Sequence, residues 1–259
     1  MVETLVELVR DGDVATVTLN RPAKLNSLTP AMLDQLEACV RALDADTDVR
    51  VVILTGCGTK AFCVGADINE WAALQPLDMW RRWVRRGHQV FDQWARLRQP
   101  VITAINGHAF GGGLELAIVG DIRIASTQAQ FALPEASIAT CPGWSGTQRL
   151  VRLVGASRAK YLALSGQRLS ALDAVASGLV HEVVAAEQVL ERAKALALEM
   201  ANKAPVSLQL TKQLINAAAG EDTDATLEAM AGALAATTQD AGEGIRSFQE
   251  KRAPKYQGR

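Results

Sequence analysis

Two segments of this chain are almost continuously apolar, and each ends at a glycine. They are VRVVILTG at residues 49–56 and PVITAING at residues 100–107. Strands without polar alternation are typical of a parallel sheet that is covered on both faces. The chain is therefore predicted to fold as an α/β protein around these two buried strands.

The sequence around these strands alternates between strand and helix patterns. Thr29 and Pro30 suit the N-cap and the first position of a helix, and apolar residues then recur on one helical face. From about residue 186 onward the pattern is almost wholly helical, which predicts a helical C-terminal part after the α/β core. Further strands are predicted over residues 4–9, 14–19 and 121–126, and a polar helix over residues 78–98.

Composition argues against several classes of protein. The 259 residues are 49% hydrophobic, which is enough for a large core. The net charge is −1, so nothing in the charge favours nucleic acid or an anionic membrane as a partner. No stretch approaches the roughly 18 uninterrupted apolar residues of a membrane span, and the first residues lack a signal-peptide pattern. We expect a cytoplasmic protein that binds neither nucleic acid nor a membrane.

The four cysteines lack the spacing of a metal site. Cys39, Cys57, Cys63 and Cys141 form no Cys-x-x-Cys pair and have no pair of histidines nearby. They are predicted to be scattered buried thiols in a reducing compartment, and no metal is expected.

Common glycine-rich nucleotide motifs are absent. The chain contains no Gly-x-Gly-x-x-Gly, and no glycine precedes Lys-Ser or Lys-Thr. The segment GWSGT at residues 143–147 resembles a nucleophile elbow, but Thr147 stands where its last glycine should be. With only three histidines in the chain, a serine hydrolase is disfavoured.

Two glycine-containing turns follow the buried strands. They are AFCVGADI at residues 61–68 and HAFGGGLEL at residues 108–116. Glycine lets a ligand approach the backbone closely, and two N–H groups converging on one oxygen would form an oxyanion hole. Two tight turns without a ligand would have the same spacing, so the residues alone leave both interpretations open.

Two glutamates stand alone among apolar and small residues near these turns. Glu115 falls in the first turn of a predicted helix, and Glu135 lies in FALPEASIA. Such residues often lie on a solvated face or in an ion pair. Two carboxylates in one site, however, perturb each other so that one can hold a proton near neutral pH. That arrangement suits activating a water while moving a proton.

Several spaced segments in a fixed order resemble the crotonase (enoyl-CoA hydratase/isomerase) family, and within it the enoyl-CoA hydratases. They are NRPAKLNSL, AFCVGADI, PVITAINGHAFGGGLELAIVGDIRIA, AQFALPEASI, PGWSGTQRL, GLV and FQEKRAPKY. The resemblance implies a spiral of ββα turns over residues 1–195. It also implies a helical oligomerisation region over residues 196–259 that forms homotrimers, often paired into hexamers. An acyl-CoA thioester would be the substrate, with no separate cofactor because coenzyme A is part of the substrate.

The resemblance also implies roles for residues at matching positions. The backbone N–H groups of Ala66 and Gly112 would form the oxyanion hole for the thioester oxygen. Glu115 would activate a water, Glu135 would deliver a proton to the α-carbon, and the N–H of Gly143 would help to hold the water. Isomerases of the family commonly keep a single acid, so two glutamates favour a hydratase.

Coenzyme A contacts are implied at Lys24, at Lys251 and at the backbone of Ala66. The alternative for each lysine is a solvated surface position. Asp67 is expected to cap the following helix rather than to act in catalysis.

The chain departs from familiar hydratases at two positions in the expected acyl pocket. Leu133 replaces a polar residue before Pro-Glu, which would alter hydrogen-bond support for Glu135. Trp144 stands where small residues are frequent, and it would either reshape the acyl pocket or pack outward in the core.

The segment at residues 78–94 is rich in arginine and tryptophan, and the sequence allows more than one role for each type. Its arginines are expected on a solvated or interface face, with contacts to coenzyme A phosphates as the alternative. Its tryptophans are expected in the core, with an acyl tunnel as the alternative. The arginines are Arg81, Arg82, Arg85 and Arg86, and the tryptophans are Trp80, Trp83 and Trp94.

The leading functional hypothesis is a hydro-lyase that interconverts a 2-enoyl-CoA and a 3-hydroxyacyl-CoA. The alternatives are a Δ3-Δ2 enoyl-CoA isomerase and a CoA-thioester binding protein without catalysis.

Overall fold

The computed structural model describes residues 3–259, which form two compact units, one ending at Gln209 and the other spanning Leu210–Arg259. The strands are β1 Val6–Asp11, β2 Val14–Leu19, β3 Val51–Gly56, β4 Ala61–Cys63, β5 Val101–Ile105, β6 His108–Phe110, β7 Ile122–Ser126, β8 Gln130–Ala132, β9 Leu169–Ser170 and β10 Glu182–Val184. The α-helices are α1 Pro30–Ala45, α2 Ile68–Trp71, α3 Pro76–Asp78, α4 Arg85–Arg96, α5 Gly112–Ala117, α6 Gly146–Ser165, α7 Ala171–Ala176, α8 Val189–Ala201, α9 Pro205–Ala218, α10 Thr223–Ala236 and α11 Gln239–Gln249. Short 3₁₀ segments are Pro22–Lys24, Glu135–Ile138 and Ala186–Gln188, and Met79–Val84 is π-helical.

The first unit contains two sheets. The larger has strand order β1-β2-β3-β5-β7-β10, antiparallel between β1 and β2 and parallel elsewhere. The smaller has order β4-β6-β8-β9, with β4, β6 and β8 parallel. Both segments predicted as buried strands, β3 and β5, are fully buried in the larger sheet.

The chain passes repeatedly from the larger sheet to the smaller and then into a helix. The passages are β3–β4–α2, β5–β6–α5 and β7–β8 followed by the 3₁₀ turn Glu135–Ile138. Each passage therefore places a strand-to-helix turn at the same edge of the smaller sheet, because neighbouring parallel strands end on the same side.

Helix α1 begins as the sequence predicts. The side chain of Thr29 accepts a hydrogen bond from the N–H of Met32 at 3.2 Å, and Pro30 occupies the first turn. The predicted apolar face is buried, with Cys39 in addition: Met32, Leu33, Leu36, Val40 and Leu43.

Helix α8 packs against the larger sheet and belongs to the first unit. Val51 and Ile53 of β3 cluster with α8, whereas the alternating residues Val52 and Leu54 join the main core on the opposite face. The first unit therefore continues past residue 195, the boundary predicted from the sequence.

The polar helix predicted over residues 78–98 is interrupted. The chain forms α3, then the π-helical segment Met79–Val84, and then α4. Met79, Trp83 and Val84 line the same cavity. The wider π turn places these three side chains on one face of the helix, whereas a continuous α-helix would spread them over a wider part of its circumference.

The tryptophans of this region divide between core and surface. Trp83 and Trp94 are buried as expected, but the prediction of core packing was wrong for Trp80, which is 64% exposed beneath the guanidinium of Arg81. Arg81, Arg82 and Arg85 are exposed, as expected, whereas Arg86 is half-buried and pairs with Asp34 and Glu37 at 2.8 and 2.6 Å.

Within residues 3–259, none of the helices combines the length and the apolar character needed to cross a bilayer.

Candidate active site

The two glycine turns meet because β4 and β6 are parallel neighbours. Gly65 follows β4 with φ +95°, and Gly111 follows β6 with φ +54°. L-residues rarely adopt these values, which explains glycine at both positions. The N–H groups of Ala66 and Gly112 follow directly after these two turn glycines.

The turns approach so closely that side chains would not fit. A Cβ on Gly65 would lie 3.1 Å from the backbone N of Gly112, and a Cβ on Gly113 would lie 2.0 Å from the carbonyl oxygen of Cys63. Gly65 and Gly113 thus permit contact between two backbone segments, and a Cβ on Gly112 would lie at an ordinary 3.7 Å from the backbone N of Ala66.

Both expected oxyanion donors are available. Gly112 is the first residue of α5, where N–H groups have no acceptor within the helix. Leu28 bonds to the residues on either side of Ala66, accepting from Asp67 N–H and donating to the Gly65 carbonyl. Among the hydrogen bonds of residues 3–259, none uses the N–H of Ala66 or of Gly112.

Glu115 is held inside the protein by backbone donors. Its side chain is buried in the first turn of α5, and Oε1 accepts hydrogen bonds from the N–H groups of Trp144 and Gly146, both at 2.9 Å. Burial raises the pKa of Glu115, and the N–H groups of Trp144, Gly146 and Gly143 offset only part of that rise.

Glu135 is less well satisfied. It begins the 3₁₀ turn after β8, and within residues 3–259 its buried Oε2 atom has no hydrogen-bond partner. Burial raises its pKa to about 7, and the charge of Glu115 contributes to the rise. Its Oε1 lies close to Gly111, whose Cβ, if present, would be only 2.9 Å away.

One cavity of about 240 Å³ brings these groups together. Ala66, Gly112, Glu115, Glu135 and Gly143 all line it. The rest of its wall is largely apolar and includes Ile68, Trp71, Met79, Trp83, Val84, Ile138 and Trp144.

Trp144 combines the two alternatives that the sequence left open. Its ring lines the cavity and also packs in the core, at 5.2 Å from the Trp83 ring and 5.3 Å from the Phe91 ring. It fills the space next to two glycines, because a Cβ would lie 2.2 Å from the indole at Gly87 and 2.8 Å at Gly112.

Other predicted site residues lie outside this cavity lining. Leu133 is 1% exposed in the main core and does not line the cavity, because its apolar side chain is buried before the chain turns at Pro134. Lys24 is exposed at the end of its 3₁₀ segment. Lys251 lies in the second unit and is exposed. Contacts of both lysines with coenzyme A stay predictions.

Cys141 corrects the expectation of buried thiols. Cys39 and Cys63 are buried, whereas Cys141 is exposed and lines the cavity. The residue precedes Pro142 in the loop before α6, where neighbouring backbone is open to the cavity.

Asp67 caps α2 as predicted, and the structure adds a partner that the sequence did not suggest. Its carboxylate accepts a hydrogen bond from Asn69 N–H at 3.1 Å and one from Arg21 at 2.7 Å. Arg21 also binds Ser27, so it ties the turn beside Ala66 to the N-terminal loop. Arg21 lies in the quoted NRPAKLNSL segment, which was the only signal for it.

A second missed group lies behind Glu115. Ser145 contacts His88 and Asp92, both on α4, and Asp92 also binds Arg149. Ser145 and Arg149 lie in the PGWSGTQRL segment, and His88 and Asp92 lie in the segment at residues 78–94, but neither pattern indicated that these residues meet.

Comparisons with known proteins agree with the fold and the site. The family model described as enoyl-CoA hydratase/isomerase matches residues 10–259. The short-chain-enoyl-CoA hydratase of Clostridium acetobutylicum is 40% identical over 95% of each chain, and the 2,3-dehydroadipyl-CoA hydratase of Escherichia coli is 39% identical over 96% of this chain and 97% of its own. The crystal structure of an enoyl-CoA hydratase from Bacillus anthracis has a TM-score of 0.81 at 38% identity, covering 98% of this chain and 100% of that one. The predicted crotonase-like ββα core with C-terminal helices is confirmed, and the chain belongs to the enoyl-CoA hydratase/isomerase family.

Proposed function

We propose that this protein is an enoyl-CoA hydratase, which adds water reversibly across the 2,3 double bond of a 2-enoyl-CoA to give a 3-hydroxyacyl-CoA. The observation that carries the proposal is the convergence of two carboxyl groups with raised pKa and two unpaired backbone donors on one cavity. Relatives named as hydratases, 39–40% identical along nearly the whole chain, support it.

The oxyanion donors would bind the thioester carbonyl. Ala66 N–H and Gly112 N–H would hold its oxygen as negative charge builds on it in an enolate-like transition state. Losing one such donor typically costs about 10²–10³ in rate. The proposed reaction consists of proton transfer and water addition without net oxidation or reduction. No separate redox cofactor is therefore required.

The two glutamates would divide the proton transfers. Backbone N–H groups stabilise the ionised form of Glu115, whereas the Oε2 atom of Glu135 is unpartnered. In the hydration direction Glu115 would therefore be the base and Glu135 the acid. Since Oε1 of Glu115 is already bonded twice, Oε2 would take the proton from water, with Gly143 N–H helping to hold that water.

The acyl group is proposed to be short and uncharged. Trp144 and Trp83 pack together at one wall of the cavity, and no Lys, Arg or His is among its described lining residues. A carboxylate-ended acyl group, as in 2,3-dehydroadipyl-CoA, would meet no compensating cation there. The name of the Clostridium relative, a short-chain-enoyl-CoA hydratase, agrees with this choice.

The finer assignments of assembly and location are also proposals. The helical region over residues 196–259 would mediate homotrimers or hexamers, and the enzyme would act in the cytoplasm. Exposed apolar side chains support an interface in the second unit, and they include Leu214, Ile215, Leu227, Leu234, Ile245 and Phe248. Light scattering on the purified protein tests the assembly.

The decisive experiment is to add the enzyme to crotonyl-CoA and follow the absorbance of the conjugated thioester. Loss of absorbance with formation of 3-hydroxybutyryl-CoA is expected. A 3-enoyl-CoA that becomes conjugated while crotonyl-CoA is unchanged would instead indicate the isomerase. Turnover of neither substrate, over several acyl lengths, would indicate a CoA-thioester binding protein.

A further inference from the structure

The turn that holds Glu115 contains a residue in an unfavourable backbone conformation. Ser145 lies between Trp144 and Gly146, whose N–H groups both bind Glu115, and it has φ 71° and ψ 7°. The left-handed region costs a non-glycine residue about 1–2 kcal/mol. Interactions of the Ser145 side chain must therefore contribute to holding the turn in place.

These interactions converge on Asp92 of α4. The Ser145 hydroxyl donates to Oδ1 of Asp92 at 2.9 Å, and Arg149 donates to the same oxygen at 2.8 Å. His88 bridges the pair, with Nδ1 at 2.9 Å from Ser145 Oγ and Nε2 at 3.2 Å from Oδ2 of Asp92. Burial raises the pKa of Asp92, but the hydrogen bonds from Arg149 and Ser145 outweigh it and leave the pKa below its ordinary value.

A serine, a histidine and an aspartate in contact also suggest a nucleophilic triad. Ser145, however, is only 3% exposed, and it lines neither the cavity that holds Glu115 nor the groove between α1 and α4 that Asp92 lines. A nucleophile must reach its substrate. The cluster instead reaches the active site through the backbone of residues 144–146.

We propose that Asp92, acting through the Ser145 hydroxyl, is a positioning residue for Glu115. Fixing Ser145 aims the N–H groups of Trp144 and Gly146 at Oε1 of Glu115. Asp92 also holds Arg149, whose charge favours the ionised form of Glu115. The inference rests on the proposed function, because it assigns Glu115 the work of a base.

The test uses Asp92→Asn, Ser145→Ala and Ser145→Gly in the full-length enzyme with crotonyl-CoA. Misplacing a reacting group by about 1 Å can cost about 10² in rate, so kcat is expected to fall by up to about 100-fold with KM nearly unchanged. The acid limb of the kcat–pH profile should move to higher pH, because Glu115 loses donors that keep it ionised. Ser145→Ala removes only the hydroxyl. Ser145→Gly removes the whole side chain but accepts the left-handed conformation without strain, so a loss of kcat in this variant reports the lost hydrogen bonds rather than backbone strain.

A matched control is Asp34→Asn. Asp34 is a carboxylate, 70% exposed, that pairs with Arg86 of the same helix α4 but does not contact Ser145. This variant should keep the wild-type kcat and acid limb. Adding Asp92→Asn to a Glu115→Gln enzyme should cause little further loss, because the two residues act in series.

Wild-type kcat in Ser145→Gly would overturn the inference, and so would an acid limb that does not move in Asp92→Asn. The inference would also fail if Asp92→Asn lowered kcat by the same factor in the wild-type enzyme and in the Glu115→Gln enzyme. A thermal melt separates these results from failure to fold. If the wild-type enzyme hydrates no enoyl-CoA, the proposed function fails, whereas unchanged Asp92→Asn kinetics in an active enzyme rejects only the positioning role.

Discussion

Gly146 leaves the space that the side chain of Glu115 occupies: a Cβ on Gly146 would lie 2.2 Å from Cγ of Glu115. The same glycine donates its N–H to Oε1 of that glutamate. Glycine at position 146 therefore both admits the carboxylate and binds it.

Gly146→Ala should displace Glu115. Because Glu115 is buried, relief of the overlap must move the carboxylate or the start of α6, at a cost of about 1–3 kcal/mol. We expect kcat for crotonyl-CoA hydration to fall by about 10², with a lowered Tm. Gly155→Ala, at a position with no atom within 4 Å of the added Cβ, is the control for an added methyl group in α6. Its positive φ makes some loss of Tm expected there, but not a loss of kcat.

Replacing either glutamate by glutamine should remove its proton transfer. General acid–base groups contribute about 10²–10⁴ in rate, so Glu115→Gln and Glu135→Gln should each lower kcat by that range. Exchange of the substrate α-proton with heavy water distinguishes them, since it should depend directly on Glu135. A near-normal hydration rate in either variant would remove that residue from the mechanism.

The pH profile should be bell-shaped and the same in both directions. Hydration needs Glu115 ionised and Glu135 protonated, and dehydration needs the reverse, so both need one proton on the pair. Activity should fall above a pH of about 7, where that proton is lost from Glu135. It should fall again at lower pH, where Glu115 becomes protonated. Measurements of kcat/KM with crotonyl-CoA and with 3-hydroxybutyryl-CoA check this, and an upper limb that survives in Glu135→Gln would contradict the assignment.

Glu135 should also destabilise the fold at alkaline pH. Folding raises its pKa from 4.5 to about 7, so the folded state binds its proton more tightly than the unfolded state does. The favourable contribution of this tighter proton binding to the free energy of unfolding is complete below about pH 4.5, and it is lost as the pH rises through about 7. Glu135→Gln should therefore raise Tm relative to wild type at pH 8 but not at pH 4. Equal differences at the two pH values would mean that the carboxyl is not buried as described.

Trp144→Leu should enlarge the acyl site. Removing the indole opens space between Gly87 and Gly112, where the ring lies. The ratio of kcat/KM for a long-chain enoyl-CoA to that for crotonyl-CoA should rise about tenfold or more, consistent with 1–3 kcal/mol per discriminating group. The loss of stability should not exceed the about 3–5 kcal/mol typical of Trp→Ala. Trp80→Leu, at an exposed tryptophan of the neighbouring segment, should leave the ratio unchanged.

The sequence by itself determined the local elements and the family. Apolar runs predicted β3 and β5, Thr29 and Pro30 predicted the start of α1, and the ordered motifs indicated the crotonase core. These features depend on conformational preference and on the periodicity of burial, both of which are properties of neighbouring residues.

Only the tertiary structure decided which distant residues meet. Pairing of β4 with β6 brings Gly65 to Gly112, and packing of α4 against the loop before α6 brings Asp92 to Ser145. The tertiary structure also decided the environment of large apolar residues that the sequence could not distinguish: Trp80 is exposed, Leu133 lies in the core and Trp144 lines the cavity. Such contacts depend on strand order and on the space left by missing side chains, and neither is a property of a short segment.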